Sequence, residues 1–81
     1  MSNTDYSIAA GVGLKYLIKT NYASQQEFAD DFGVELRTVN RYVTTGIRSI
    51  ITIQEIADFF GMDLPDYLLM AKKHQNEEDC L

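Results

Sequence analysis

The chain has little of what staples, breaks or anchors a fold. Of its 81 residues one is cysteine, one is proline and none is tryptophan. A lone Cys80 excludes a disulfide within the chain and favours a reducing compartment. No apolar run approaches the roughly 18–20 residues that a membrane span needs. The opening "MSNTDYS" lacks the positive region of an export signal, and the apolar run from Ile8 stops at Lys15. A soluble, cytoplasmic protein is the expectation. A hydrophobic content of 46% is that of a globular chain and not of a disordered one. The length suits one small domain with a modest core.

Positive charge is scarce as well. Seven Lys and Arg face twelve Asp and Glu, a formal charge of −5. The deficit is uneven. Residues 1–35 sum to −3, residues 36–54 to +3 and residues 55–81 to −5. The cationic block consists of Arg37, Arg41 and Arg48, with no acid among them. Binding responds to the local field of a surface, whereas net charge bears on solubility and long-range steering.

What is present is helical periodicity. A first helix is expected over residues 9–21, with Leu14, Leu17 and Ile18 on one face and Gly11 and Gly13 weakening its start. Ser24-Gln25-Gln26-Glu27 is a capping box: the Ser24 hydroxyl accepts the Glu27 amide, and the Glu27 carboxylate reaches back to the Ser24 amide. The helix it opens turns Phe28, Ala29 and Phe32 inward and ends at Gly33. A third helix runs from Leu36 to Thr44 and stops at Gly46, with Val39, Tyr42 and Val43 inward and Arg37, Asn40, Arg41 and Thr44 on the other side. A fourth is expected to start from a second box, Thr52-Ile53-Gln54-Glu55, and carries the stripe Ile53, Ile56, Ala57, Phe60. A fifth begins at an Asp63 cap with Pro65 in its first turn. Leu64, Leu68 and Leu69 are expected to pack back. The fold class expected is all-α, five helices in one domain over residues 8–70, between a flexible arm at 1–7 and a polar, acidic tail at 71–81.

Residues 25–44 meet the constraints of two helices that cross closely through a tight turn. The crossing needs a small residue, the turn a residue at positive φ, and the second helix a branched apolar anchor. Ala29, Gly33 and Val39 fill those structural slots, with Phe28, Phe32, Val34 and Tyr42 around them. The segment from Leu14 to Leu68 resembles the Xre/Cro-type, lambda-repressor-like DNA-binding domains. "SQQEFADDFGV" is similar to that family's second helix and turn, and "TIQEIADFFGMDLPDYL" to its fourth and fifth helices. The resemblance implies a compact lambda-repressor-like helix-turn-helix fold, sequence-specific binding of double-stranded DNA, and transcriptional control, often as a homodimer.

Residue by residue, the resemblance gives Leu36, Arg37, Thr38 and Arg41 as base contacts, with Glu35 beside them. It gives Gln25, Asn40, Thr44 and Arg48 as phosphate contacts. Arginine pairs with guanine O6 and N7 in bidentate fashion, and a helix N-terminus such as that at Gln25 favours phosphate. Leu36 either meets a thymine methyl or packs. Glu35 repels phosphate unless it reads a cytosine amino group. A homodimer would use the fourth and fifth helices and the tail, with Tyr67, Leu69 and Met70 exposed.

Blander readings stand beside these. Arg37 and Arg41 also fit an ordinary solvated helix face. Tyr16, Tyr22 and Tyr42 fit packing better than base stacking. His74 and Cys80 are too few for a zinc site, so no metal is expected. "GVGLKY" lacks the third glycine and the Lys-Ser/Thr ending of a phosphate loop. No nucleophile–base constellation appears, and the acids Glu27, Asp30, Asp31 and Asp58 fit solvated faces, so neither an enzyme nor a cofactor is expected. The competing function is a protein-interaction module, an antirepressor or regulatory cofactor, which binds a regulatory protein partner and does not itself bind DNA specifically.

Overall fold

A computed structural model describes residues 4–79, with side chains described for residues 6–75. Five helices follow in order: α1 Thr4–Asn21, α2 Gln25–Phe32, α3 Leu36–Thr45, α4 Ile50–Phe59 and α5 Leu64–Asp79. No strand occurs among the described residues. The radius of gyration, 11.7 Å, matches the roughly 12 Å of a fully packed chain of this length.

Local chemistry sets the helix ends. Ser24 caps α2, its Oγ accepting the Glu27 amide at 3.3 Å. Glu27 closes the box one residue earlier than expected, accepting the Ala23 amide at 3.0 Å. Gly33, at φ 88°, ends α2, and its amide and that of Val34 both donate to the Ala29 carbonyl. Gly46 ends α3 at φ 100° and ψ 176°, with its amide on the Tyr42 carbonyl.

The start of α4 differs from the expected box at Thr52. Ser49 is the cap, its Oγ accepting the Thr52 amide at 3.3 Å, and Thr52 lies inside the first turn. Ser49 and Thr52 have the same Ser/Thr chemistry, and the apolar Ile50 and Ile51 between them masked the earlier start. The Asp63 carbonyl accepts the Tyr67 amide at 2.9 Å, which places Asp63 at the entry to α5 as expected.

The core is one cluster drawn from every helix. Leu14 and Ile18 of α1, Phe28 and Ala29 of α2, Val39 of α3, Ile53, Ile56 and Ala57 of α4, and Tyr67 and Ala71 of α5 are all buried. Burying the larger aliphatic and phenyl side chains among these is worth about 1.5–3 kcal/mol each. Phe28 ties α2 to α4: it stacks on Phe60 and meets Phe59 edge-on, both at 5.7 Å.

The N-terminal helix begins earlier than expected. Thr4 to Ser7 are helical and Ser7 is buried, so the expected flexible arm does not include them; its first three residues lie outside the described residues. Gly11 and Gly13, expected to weaken this helix, are where it is crossed. A Cβ on Gly11 would overlap the Tyr42 carbonyl oxygen, and one on Gly13 would come within 2.8 Å of Ala71 Cβ. The helix gives up about 1 kcal/mol of propensity at each glycine and gains close contact with α3 and α5.

At the other end, α5 runs on to Asp79, through most of the stretch expected as a polar tail at 71–81. Its His74 ring stacks on Tyr16 of α1 at 3.7 Å. Tyr67, expected on an exposed dimer face, is fully buried, and its hydroxyl donates to the Ala10 carbonyl at 2.7 Å. A tyrosine ring with one polar tip can be core whenever that tip finds an acceptor. Leu69 is 71% exposed and does not pack back.

Two predictions follow from these contacts. Gly46→Ala adds a Cβ 2.6 Å from the Ser7 carbonyl oxygen and strains a left-handed backbone. It should destabilise the fold by about 2–4 kcal/mol, read as a lower urea midpoint at unchanged slope. The second concerns alkaline pH. Burial pushes the Tyr67 phenol well above its ordinary 10.0. Tyr22 moves the same way, through burial and its hydrogen bond to Asp31. For an acid whose folded pKa is raised, stability is complete below the unfolded value and is lost as pH rises through the folded one. Stability should therefore fall above about pH 10, and Tyr67→Phe, although about 1 kcal/mol less stable at neutral pH, should show a shallower alkaline decline.

Candidate nucleic-acid interface

The site rests on how α3 is held. Val39 is 0% exposed and plugs the middle of α3 into the core. Tyr42 and Val43 pack beside it. Ala29 of α2 is also fully buried, and Gly33 supplies the left-handed turn between the two helices. With one side fixed, helical geometry puts Arg37, Asn40, Arg41 and Thr44 on the other, and all four are exposed. Arg37 and Arg41 stand one turn apart on one face.

The first turn of α3 carries Glu35, Leu36, Arg37 and Thr38. Glu35 is the N-cap residue but makes no side-chain cap. Its Oε1 instead accepts from Arg37 Nε at 3.0 Å, in a pair 71% and 86% exposed. So exposed a pair contributes under about 1 kcal/mol and is readily exchanged for another partner. Leu36 is 41% exposed, which decides against its packing fully into the core. Thr38 is half-buried.

The C-terminal end of α3 carries two back-bonded hydroxyls. Thr44 Oγ1 donates to the Asn40 carbonyl at 2.8 Å, and Thr45 Oγ1 to the Arg41 carbonyl at 2.7 Å. Beyond Gly46, Ile47 is buried and Arg48 is exposed. A cleft of about 420 Å³ opens between the end of α3 and the start of α4. Arg41 and Arg48 both line it, with the hydroxyl residues Thr45, Ser49 and Thr52.

Of the residues singled out from sequence, the structure brings Arg41 and Arg48 together on this cleft. It commits Arg37 to Glu35 and the Thr44 hydroxyl to Asn40. Gln25 stands at the first position of α2, half-buried. Sequence reasoning gave Thr45, Ser49 and Thr52 no place in the site, reading Thr52 only as a helix cap. The cap pattern Ser49-x-x-Thr52 was the signal that could have found the last two. Among the described residues no group of His, Cys, Asp and Glu is arranged to hold a metal ion, and Cys80 lies outside them. No described helix is long and apolar enough to cross a membrane.

Comparison with protein-family models, with curated proteins and with solved structures finds no match for this chain.

A substitution separates the surface role of Arg41 from a structural one. Arg41 is exposed and its side chain lies on the cleft. Arg41→Ala should leave stability within about 0.5 kcal/mol of the parent, measured by thermal melting. A larger loss would make Arg41 part of the scaffold.

Proposed function

We propose that this chain is a sequence-specific, double-stranded DNA-binding transcriptional regulator of the lambda-repressor-like helix-turn-helix type. The observation that carries the proposal is α3: anchored on one side by fully buried Val39, it presents Arg37 and Arg41 on the other. Residues 36–54 contain three arginines and no acid. In this reading α3 enters the major groove. Arg37 and Arg41 read base edges, Leu36 meets a thymine methyl, and Thr38 lies against the same bases. Gln25, Asn40, Thr44 and Arg48 position the domain on phosphates. No catalysis, cofactor or metal takes part.

Few cations mean few released counterions, so one copy binds weakly and its affinity falls only shallowly with salt. Two copies on half-sites about 34 Å apart would double the contacts. Exposed Leu69 on α5 offers a surface for such a homodimer; buried Tyr67 does not.

A second reading has its own observation. The Glu35–Arg37 pair spends one of the three cations within the protein, beside exposed Leu36. That surface also suits a protein partner, as in an antirepressor or regulatory cofactor. Reversing Arg37 and Arg41 to glutamate abolishes DNA binding in the first reading and can spare a partner complex in the second.

Selection from a random duplex library, at low and near-physiological salt, tests the first reading. One enriched motif is expected, and two-fold symmetry in it would report a dimer. No retention at either salt would end the DNA reading. Glu35→Gln should also tighten duplex binding by about two- to five-fold at low salt, because it frees Arg37 and removes a charge that repels phosphate. Unchanged or weaker binding would make Glu35 a base reader or an organiser of Arg37.

A further inference from the structure

The segment between α3 and α4 is short, and Arg48 leaves the chain from it. Three of its residues in succession are held by the start of α1. Gly46 lies so close to the Ser7 carbonyl that a Cβ would fall 2.6 Å from its oxygen and 3.1 Å from the Ile8 nitrogen. The Ile47 amide donates to that same Ser7 carbonyl at 2.9 Å. The Arg48 carbonyl accepts the Tyr6 hydroxyl at 3.2 Å, across 42 residues of sequence. The Ile47 side chain is 2% exposed, so the middle of the segment is anchored in the core as well.

We propose that Tyr6 is a positioning residue for Arg48: its hydroxyl fixes the Arg48 backbone so that the guanidinium stays on the cleft it shares with Arg41. The proposal rests on the nucleic-acid reading of that cleft and adds a residue from outside the two-helix motif. The physical ground is the entropy of the link. Ordering a loop residue costs about 1–2 kcal/mol, and that cost falls on binding unless the free protein has already met it. The Gly46 and Ile47 contacts fix the first half of the link. Tyr6 supplies the hydrogen bond that extends this order to Arg48. The Tyr6 ring packs against the core, so Tyr6→Phe keeps the packing and removes the bond alone.

The experiment uses the full chain and the same mixed-sequence duplex at low salt, below the melting midpoints of all variants. Wild type, Tyr6→Phe, Arg48→Ala and the double variant are compared, with amide exchange at Ile47, Arg48 and Ser49 recorded for the free proteins. Tyr6→Phe should speed exchange at these amides and weaken binding about three- to ten-fold. It should also lower the slope of log affinity against log salt by nearly one phosphate contact. In the Arg48→Ala background, Tyr6→Phe should cause no further loss. An equal loss in both backgrounds would show that Tyr6 acts independently of Arg48, and unchanged exchange and affinity would show that the bond orders nothing; either result overturns the proposal. Failure of the wild type to bind any duplex would overturn it too, but through the parent reading, and is recognised because the loss is already present without substitution.

Discussion

The backbone of α1 is the surface on which α3, α5 and the link before α4 are assembled. Within two turns it receives three other elements by close approach. Ser7 accepts the Ile47 amide from the link before α4, Ala10 accepts the Tyr67 hydroxyl from α5, and Gly11 lies beneath the Tyr42 carbonyl of α3. Helix carbonyls can take a second donor because each has two lone pairs. Close approach is available only where the side chain is absent or small, and Ser7, Ala9, Ala10, Gly11 and Gly13 supply such positions here. Buried contacts between backbone and small residues are stiff, because interiors pack near crystal density and a displaced helix has nowhere to go. The placement of α3, and so of its arginines, is inherited from α1 as much as from the α2 turn.

Electrostatics then acts on a rigid frame. At physiological salt the Debye length is about 8 Å, while the molecule measures 34 × 28 × 21 Å. Exposed charges farther apart than that length interact weakly, so the overall −5 does not decide what happens at α3. Glu35 is the exception, bonded to Arg37 at 3.0 Å. Toward an anionic partner such as the proposed duplex, the acidic remainder would act on approach, disfavouring docking by any surface other than the acid-free stretch 36–54. Negative charge elsewhere is thus compatible with an anionic partner and restricts its orientation.

Much of this was legible in the residues, and the rest was hidden for identifiable reasons. The Ser24 cap, the Gly33 turn, the Val39 anchor and the Gly46 stop are local signals, each resting on one residue's conformational or hydrogen-bonding chemistry, and each stands where the pattern put it. The early start of α1 was not local. Residues 4–7 are polar and lack periodicity, and what orders Ser7 is an amide forty residues away in Ile47. Tyr67 was misplaced because its exposure depends on whether an acceptor lies across the interface, and Ala10 supplies one. The cleft was half legible. Arg41 and Arg48 were evident as cations, but their convergence with Thr45, Ser49 and Thr52 depends on the path of the link after Gly46.

That link and its neighbours bear on what kind of binder this surface can be. In the free protein several donors of α3 already have partners within the chain: Arg37 Nε has Glu35, the Thr44 hydroxyl the Asn40 carbonyl, and the Thr45 hydroxyl the Arg41 carbonyl. A ligand that takes up these donors exchanges bonds, while the remaining N–H groups of Arg37 add new ones. Exchange with a poorly aligned acceptor gains nothing, since the bond given up was already of good length. Exchange with a rigid pair of acceptors, such as a guanine edge, gains the bidentate geometry that Glu35, held through a single oxygen contact to Nε, does not supply. In the proposed role, a surface of this kind would bind anions in general weakly and discriminate among them. With only three arginines in the cationic stretch, the proposed DNA binding would gain affinity by repeating the surface, which is the physical case for two copies acting together on paired sites.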